Sequence, residues 1–127
     1  MYTFHKSERL CSHKLIEELY HSKHRMMVFP YSITWKFCDD ADLTERAQVL
    51  ISTSKRKFHH AVDRNHVKRL TRECYRLHKP ELYEMLAEHD KKMLISINYI
   101  HTEIFSYQHL YKKFDKILAQ FKKELMK

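Results

Sequence analysis

The chain has 127 residues and a formal net charge of +8, from 24 Lys and Arg against 16 Asp and Glu. Its length suits one domain, and its hydrophobic content of 43% can fill a core, so we predict a single domain over residues 1–127 rather than a disordered tail. Three cysteines without a CxxC pair indicate neither a disulfide framework nor a zinc ribbon. No stretch approaches the roughly 20 apolar residues of a membrane span, so we expect a cytoplasmic protein with no membrane partner.

The first predicted elements are a helix and a strand. Ser12 is a candidate N-cap for a helix whose apolar stripe runs through residues 15–20 and which should end within residues 21–25. Apolar side chains then occupy every odd position from Met27 to Phe37, which is the period of a half-buried strand. Because Pro30 has no N–H to donate to a neighbouring strand, we expect this strand to lie at a sheet edge or to carry a bulge.

The rest of the chain continues in a mixed order of strands and helices. The predicted elements are a loop over 38–45, a strand over 46–54, a helix over 60–78 that Pro80 stops, a further short helix over 81–89, a strand over 93–100 and a final helix over 106–126. This order predicts an α+β sandwich in which helices cover one face of the sheet and leave the other partly free. Because the chain has no glycine, any positive-φ turn must use Asn, Asp, His or Lys.

The positive charge is concentrated in one short block. From Lys55 to Lys79 there are nine Lys and Arg against two acids, Asp63 and Glu73, so this block holds +7 of the net +8. Such a block indicates a polyanionic partner, for which nucleic acid and an anionic membrane are the candidates, whereas a solvated charged face is the alternative. Helical periodicity favours a polyanionic partner, because it separates the residues of the block into an apolar face and a cationic face.

The predicted helix within this block has an apolar stripe and a cationic face. At about 100° per residue, the stripe comprises Val67, Leu70, Cys74 and Leu77. The opposite side carries Arg64, Asn65, Lys68, Arg69, Arg72, Arg76 and Lys79. Like-charged neighbours destabilise a free helix by a few tenths of a kcal/mol, at most about 0.5 per pair, so an external anion is the natural counter-charge. Arginine predominates, and its planar guanidinium can bind phosphates or stack on bases, which favours RNA.

The segment SKRKFHHAVDRNHVKRLTREC, residues 54–74, resembles the signature of the bacterial ribonuclease P protein family, whose helix carries an Arg-Asn-x-x-Lys-Arg core. The N-terminal FHKSERL also resembles the opening of that family. The resemblance implies an α-β sandwich of the ribosomal S5 domain 2 type, in the order α-β-β-(β)-α-β-α, with a mixed sheet and a left-handed β-α-β crossover. It also implies an accessory subunit without catalytic residues, because in this family a large RNA cleaves precursor tRNA with bound magnesium.

The resemblance further implies two sets of RNA-binding residues. The family helix binds the catalytic RNA, which carries over to Lys55, Arg56, Arg64, Asn65, Lys68, Arg69, Arg72 and Arg76. A cleft binds the single-stranded 5′ leader of precursor tRNA, and its candidate residues are Ile16, Tyr20, Phe29 and Tyr31. For the three aromatic residues, the alternative is an ordinary place in the core. The expected partners are therefore ribonuclease P RNA and precursor tRNA, with one protein monomer per RNA. No cofactor is expected on the protein alone, whereas Mg²⁺ is expected in the complex with RNA.

The chain departs from the family pattern in two segments. His59 and His60 stand where the family commonly has Gly-Asn, so the entry turn of the helix is altered. Ile16 and Tyr20 stand where the first helix usually offers two aromatic residues, so one stacking surface is smaller.

Three other hypotheses compete with this one. His59, His60 and His66 could form a metal site, but no HExxH motif or carboxylate cluster accompanies them. A metal-dependent protein nuclease would need acidic ligands, and the basic block offers only Asp63 and Glu73, which we assign instead to the helix N-terminus and to a pair with Arg69 or Arg76. A ribosomal or RNA-chaperone protein of similar fold would share the cationic surface and have no processing role.

Overall fold

The computed structural model describes residues 6–38 and 45–127. Its elements are a 3-10 turn at Lys6–Glu8, α1 at His13–Tyr20, β1 at Arg25–Val28, β2 at Tyr31–Cys38, β3 at Ala47–Thr53, α2 at Ala61–Glu88, β4 at Lys92–Tyr99 and α3 at Tyr107–Leu125. Residues 4 and 5 of the family-like opening and residues 39–44 of the predicted loop lie outside the described residues.

The four strands form one mixed sheet in the order β1-β2-β4-β3. β2 pairs antiparallel with β1 and β4, whereas β3 runs parallel to β4. A parallel pair needs a crossover, and α2 supplies it. The predicted α+β class and the element order implied by the family resemblance, α-β-β-(β)-α-β-α, are confirmed, and the hand of the crossover stays a prediction from that resemblance.

The main core lies between the sheet and the pair of helices α2 and α3. Odd-numbered residues of β2, β3 and β4 point into it, because side chains alternate along a strand. Large side chains from these strands and from α3 that are fully buried in this core are Tyr31, Ile33, Met93, Ile95, Ile97, Tyr99, Phe114 and Phe121. Even-numbered residues of the same strands therefore form the second face of the sheet, which we call the polar face.

Helix α1 packs on the polar face, which corrects the prediction that all helices cover one face. Leu19 of α1 forms a small cluster with Leu10 and with Leu94, an even-numbered residue of β4. This cluster covers one end of the polar face and leaves the other end open, so the predicted partly free face is found. The predicted cap is also confirmed, because the Ser12 hydroxyl accepts a hydrogen bond from the Leu15 N–H.

The predicted strand over residues 27–37 is in fact a hairpin of β1 and β2. The chain turns at Phe29 and Pro30, where the peptide bond is cis, so Pro30 takes a turn position instead of making a bulge. Odd-numbered residues face the core in β2, but even-numbered residues do so in β1, because of the turn. Met27 lies opposite Ser32 on the polar face, whereas Val28 lies opposite Tyr31. Met27 is consequently 66% exposed, although its spacing from the other apolar residues predicted burial.

The prediction that Pro80 ends the basic helix is wrong. Helix α2 continues through Pro80 to Glu88 and absorbs the predicted short helix. A proline in a helix interior loses one backbone hydrogen bond and costs about 3 kcal/mol. Burial of the second half of α2, through side chains such as Leu82 and Leu86, offsets this cost.

The buried face of α2 is broader than its predicted stripe. Val67 and Cys74 are buried as expected, whereas Leu70 and Leu77 are only half-buried. The other buried positions include Thr71, Tyr75, His78 and Lys79. Lys79, predicted on the cationic face, is 7% exposed and donates to buried Glu8 with an Nζ–Oε1 distance of 3.0 Å. The buried ion pair thus fixes the 3-10 turn to α2.

The end of α2 shows how the chain manages without glycine. Asp90 takes a φ of 50° directly after the helix, as expected for a short polar residue at such a position. Its carboxylate accepts a hydrogen bond from Arg46, which also donates to the Lys91 carbonyl oxygen. These contacts hold the turn that leads from α2 into β4.

Candidate nucleic-acid interface

The first half of α2 presents the candidate RNA-binding side chains at its surface. Asn65, Arg69 and Arg72 are exposed, and their spacing of four and three places them on one side of the helix. Arg64, Lys68 and Arg76 are half-buried and flank this exposed line. The structure thus brings the predicted cations of the helix together, apart from Lys79.

Arg64 has a structural contact that the sequence did not reveal. Its guanidinium donates to the carbonyl oxygens of Phe58 and His59, at 2.8 and 3.0 Å. The N-cap residue His60 makes no side-chain capping hydrogen bond, so Arg64 stabilises the entry turn where the family commonly has Gly-Asn. Phe58, which is buried against Tyr99, anchors the same turn to the core.

Arg76 is partly neutralised within the helix. It forms a two-pronged hydrogen-bonded ion pair with Glu73, which confirms one of the two pairings expected for that acid. The hydrogen bond from Arg76 lowers the pKa of Glu73 and raises the pKa of Arg76. Arg69 and Arg72 are therefore stronger candidates for phosphate contacts than Arg76.

A groove joins α2 to the outer edge of the sheet. It is lined by Arg72, by residues 9–11 and by residues 49–51 of β3. Residues 9 and 10 run beside β3 as a parallel bridge, in which the Leu10 N–H donates to the Val49 carbonyl oxygen. Arg9 thereby lies on the same groove as Arg72. Arg9 could not be predicted as a candidate contact from the sequence, because its nearness to Arg72 is set by the tertiary fold.

Two further candidate cations lie at the end of β3. Lys55 and Arg56 are exposed in the turn between β3 and α2. The Ser54 side chain accepts from the Arg56 N–H, and the Ser54 carbonyl accepts from the Phe58 N–H. The turn therefore holds both cations at the end of the sheet where the polar face is open.

The open end of the polar face is lined mainly by short polar side chains. Ser32, Thr34, Ser52 and Asn98 are half-buried there, and the Ser52 hydroxyl donates to the Asn98 side-chain oxygen at 3.3 Å. Exposed Met27 adds an apolar surface beside them. In the sequence, this surface is marked only by hydroxyl and amide residues at even-numbered positions of the strands. The strand pairing shows that these residues form one surface.

The two candidates on α1 differ in their exposure. Tyr20 is 53% exposed at the end of α1, beside Arg25, which donates to its carbonyl oxygen. Ile16 is half-buried and packs against the small cluster of Leu10, Leu19 and Leu94. Tyr20 is therefore the candidate stacking residue of α1, and Ile16 mainly supports the helix.

The prediction that Tyr31 lines a cleft is wrong. Its side chain is fully buried between the sheet and the two helices, and its hydroxyl is 2.9 Å from the Thr71 hydroxyl. Burial raises the pKa of Tyr31, which keeps the hydroxyl protonated. Tyr31 therefore belongs to the core and cannot reach a nucleotide base.

Phe29 is exposed but does not lie with α1. Its ring contacts His101 and Phe105 in the segment that leads into α3, and α3 packs on the sheet face opposite α1. The prediction that placed Phe29 in one cleft with Tyr20 is therefore wrong as well, because the hairpin turn directs its ring to the other side of the sheet.

Within residues 6–38 and 45–127, no group of three or more His, Cys, Asp and Glu side chains is arranged to hold a metal ion. His66 instead lies on an open surface with Asp63, Asn65 and Arg69. In the same part of the chain, no helix has the length and apolar character needed to cross a membrane.

A one-sided cationic helix beside a hydroxyl-lined sheet face defines an RNA-binding protein of the α+β class. Comparison with known proteins gives the particular family: the Ribonuclease P family model matches residues 4–122, and the chain belongs to this family. It is accordingly the protein subunit of ribonuclease P, which matures the 5′ end of tRNA, and it assists a cleavage that its partner, ribonuclease P RNA, catalyses.

Individual relatives agree with this assignment. The ribonuclease P protein components of two strains of Porphyromonas gingivalis are each 29% identical over 115 residues, which cover 91% of this chain and 83% of theirs. The fold resembles the Staphylococcus aureus RNase P protein, with a TM-score of 0.63 at 19% identity over 90% of this chain and 94% of that one. A mutant of that protein with defective mRNA degradation activity gives a TM-score of 0.66 at 19% identity, over 92% and 90% of the two chains.

Proposed function

We propose that the exposed face of α2 binds ribonuclease P RNA, with Arg69 and Arg72 as its main phosphate contacts. The observation that carries this proposal is the segregation of charge on α2, whose exposed line of Asn65, Arg69 and Arg72 contains no acid. Each phosphate contact releases condensed counterions, so the affinity should fall steeply as salt rises. Lys55, Arg56 and Lys68 extend the same surface toward the sheet.

We propose further that the open end of the polar face holds the single-stranded 5′ leader of precursor tRNA. Tyr20 offers an exposed ring, Met27 an adaptable apolar contact, and the nearby hydroxyls and amides offer hydrogen bonds. Stacking on an aromatic side chain contributes roughly 1–3 kcal/mol per base and tolerates any sequence. This surface therefore suits a subunit that meets many different leaders.

In this proposal the chemistry of cleavage stays with the RNA. The RNA holds the magnesium ions of the reaction, and the protein lowers the amount of magnesium needed by neutralising phosphates. One protein monomer acts per RNA, and the cytoplasm is the expected location.

The test is reconstitution with ribonuclease P RNA at low magnesium. The unsubstituted protein should increase cleavage of precursor tRNA, and the Arg69→Ala/Arg72→Ala variant should bind the RNA more weakly, with a salt slope reduced by about two units. Lys91→Ala is the matched control, because it removes an exposed cation at the far end of α2. Equal slopes for the three proteins would contradict the α2 interface.

The proposed leader site is tested by comparing the binding of precursor tRNA and mature tRNA to the same reconstituted complex. Tyr20→Ala should weaken precursor tRNA binding and leave the binding of mature tRNA unchanged, because only the precursor has a leader. An equal loss for both substrates would contradict the assignment of the leader to the polar face.

A further inference from the structure

Four rings form a continuous surface where the β1–β2 turn meets the start of α3. The Phe29 ring centroid lies 5.0 Å from that of His101 and 6.0 Å from that of Phe105. Phe105 in turn stacks on His101 at 4.9 Å and contacts His109 at 4.5 Å. Phe29 is 45% exposed and His109 is exposed, so one side of these rings faces solvent. We call these four side chains the ring cluster.

The backbone beneath the ring cluster is held by specific hydrogen bonds. The Tyr99 hydroxyl donates to the Glu103 carbonyl oxygen at 2.7 Å and accepts from the Phe105 N–H at 3.1 Å. The Ile100 N–H donates to the Pro30 carbonyl oxygen at 2.9 Å, which ties the hairpin turn to the end of β4. The rings are thus held in place before any ligand arrives, which lowers the entropic cost of binding one.

A stripe of lysines continues from the ring cluster along α3. Starting at Phe105 and His109, spacings of three, four and seven residues lead to Lys112, Lys116 and Lys123. These three lysines are exposed, and they lie opposite the face of α3 that packs in the core. We call them the lysine stripe. Residues 112–127 contain six lysines against two acids.

The acids near this surface leave its positive charge largely uncompensated. Asp115 accepts from buried His78 at 2.7 Å, which directs its carboxylate toward α2. Glu124 is engaged at the end of α3 by Gln120 and Lys127. Glu103 is the acid near the rings, with its carboxylate 4.0 Å from His101 Nε2. The lysine stripe therefore remains available to an anionic partner.

We propose that the ring cluster and the lysine stripe together form a second site for unpaired RNA, separate from the exposed face of α2 and from the polar face. A base stacks on Phe29 and the neighbouring imidazoles, and the adjoining phosphates lie along Lys112 and Lys116. Aromatic rings beside a cationic track are the combination that binds single strands without sequence preference. The charge of the stripe favours RNA over an apolar protein surface. The inference rests on the proposed RNA-binding function.

The test follows the His101 and His109 imidazole signals by nuclear magnetic resonance while the full chain is titrated with oligoadenylate of roughly eight nucleotides. Both signals should shift, and they should still shift in Tyr20→Ala, which weakens the polar-face site. Phe29→Leu keeps an apolar side chain but removes the ring, and should weaken the affinity reported by these signals at least about fivefold.

The lysine stripe is tested with variants of equal charge. Lys116→Glu should weaken the same binding and reduce its salt dependence, whereas Lys122→Glu, which makes the same charge change on another side of α3, should have a much smaller effect. Thermal unfolding of each variant verifies that it is folded. If Phe29→Leu proves unstable, the two lysine variants still decide the outcome.

Three results would overturn the inference. They are unshifted imidazole signals, equal effects of Lys116→Glu and Lys122→Glu, and concentration-dependent broadening of the signals without RNA, which would indicate self-association. Failure of the proposed function looks different, because the unsubstituted chain would then not bind ribonuclease P RNA. A chain that binds this RNA normally but has an unresponsive ring cluster contradicts the further inference alone.

Discussion

Both halves of α2 carry cationic side chains, but these lie in opposite environments. In the first half, Arg69 and Arg72 face solvent, and few side chains besides Val67 and Thr71 are buried. In the second half, even Lys79 is buried, because the 3-10 turn carries Glu8 onto it. Cationic side chains therefore face solvent in the first half, where we propose that they bind RNA, whereas one in the second half holds the fold together. What separates the two roles is which part of the chain packs over the helix.

The largest expected effect is a loss of stability on substitution of Lys79, the buried cation of the second half of α2. Lys79→Met leaves the Glu8 carboxylate buried without this partner, and should lower the free energy of unfolding by about 3–5 kcal/mol. Chemical denaturation measures the loss. Arg69→Met, the control in the first half, should change stability by no more than about 0.5 kcal/mol.

A double variant separates the charge from the packing at this position. Glu8→Leu together with Lys79→Met should recover most of the lost stability, because replacing both ions of a buried pair is often neutral. RNA affinity of the folded Lys79→Met protein should equal that of the unsubstituted protein. A loss of affinity comparable to that of Arg69→Ala/Arg72→Ala would contradict this prediction and indicate that Lys79 contacts RNA.

Arg64 should contribute both to stability and to RNA binding, with a smaller effect on stability than Lys79. Arg64→Ala removes the hydrogen bonds to the Phe58 and His59 carbonyl oxygens, and should cost about 1.5–3 kcal/mol of stability in addition to weakening RNA binding. Thermal unfolding and a salt titration of RNA affinity measure the two effects separately. Unchanged stability would show that the entry turn of α2 does not depend on Arg64.

Much of the fold followed from local pattern, and the errors occurred where tertiary contacts override it. The predicted Ser12 cap located the start of α1, and apolar periodicity located α3, because in these helices the local side chains provide the signal. Pro80 is a strong local stop signal, but packing of the second half of α2 outweighs it. The hairpin at Phe29 and Pro30 was hidden because apolar residues continue at odd positions across the turn, although the turn reverses which parity faces the core.

The candidate site was predictable where it lies on one helix and not where it is assembled from several elements. The spacing of Asn65, Arg69 and Arg72 is enough to place them on one exposed side. Tyr31 and Phe29 were assigned wrongly because strand pairing decides which sheet face a residue joins. The polar face itself depends on a parallel and an antiparallel pairing that no sequence pattern specifies.

The smallest expected effect concerns the pH dependence of stability that comes from buried Cys74, in the middle of α2. Burial raises the pKa of the Cys74 thiol to about 12, from an ordinary value of 9.0. A raised pKa contributes stability below the unfolded value, and this contribution is lost as pH rises between about 9 and 12. At pH 10 the loss from this thiol is about 1 kcal/mol.

Cys74→Ala isolates this contribution. The variant is less stable at neutral pH because it leaves a cavity, but its stability should decline less between pH 8 and pH 10 than that of the unsubstituted protein. Parallel pH profiles for the two proteins would contradict ionisation of Cys74 on unfolding.

The parallel pairing of β3 with β4 has a consequence for folding. Ser52 and Asn98, neighbours on these strands, are 46 residues apart in the chain, and α2 occupies most of the interval. Closing such a long interval carries an entropic penalty, which the compact helix reduces. The segment that we propose binds RNA is thus also the link that closes the sheet. An RNA that binds folded α2, as we propose, would therefore also stabilise the pairing of the two strands that α2 connects.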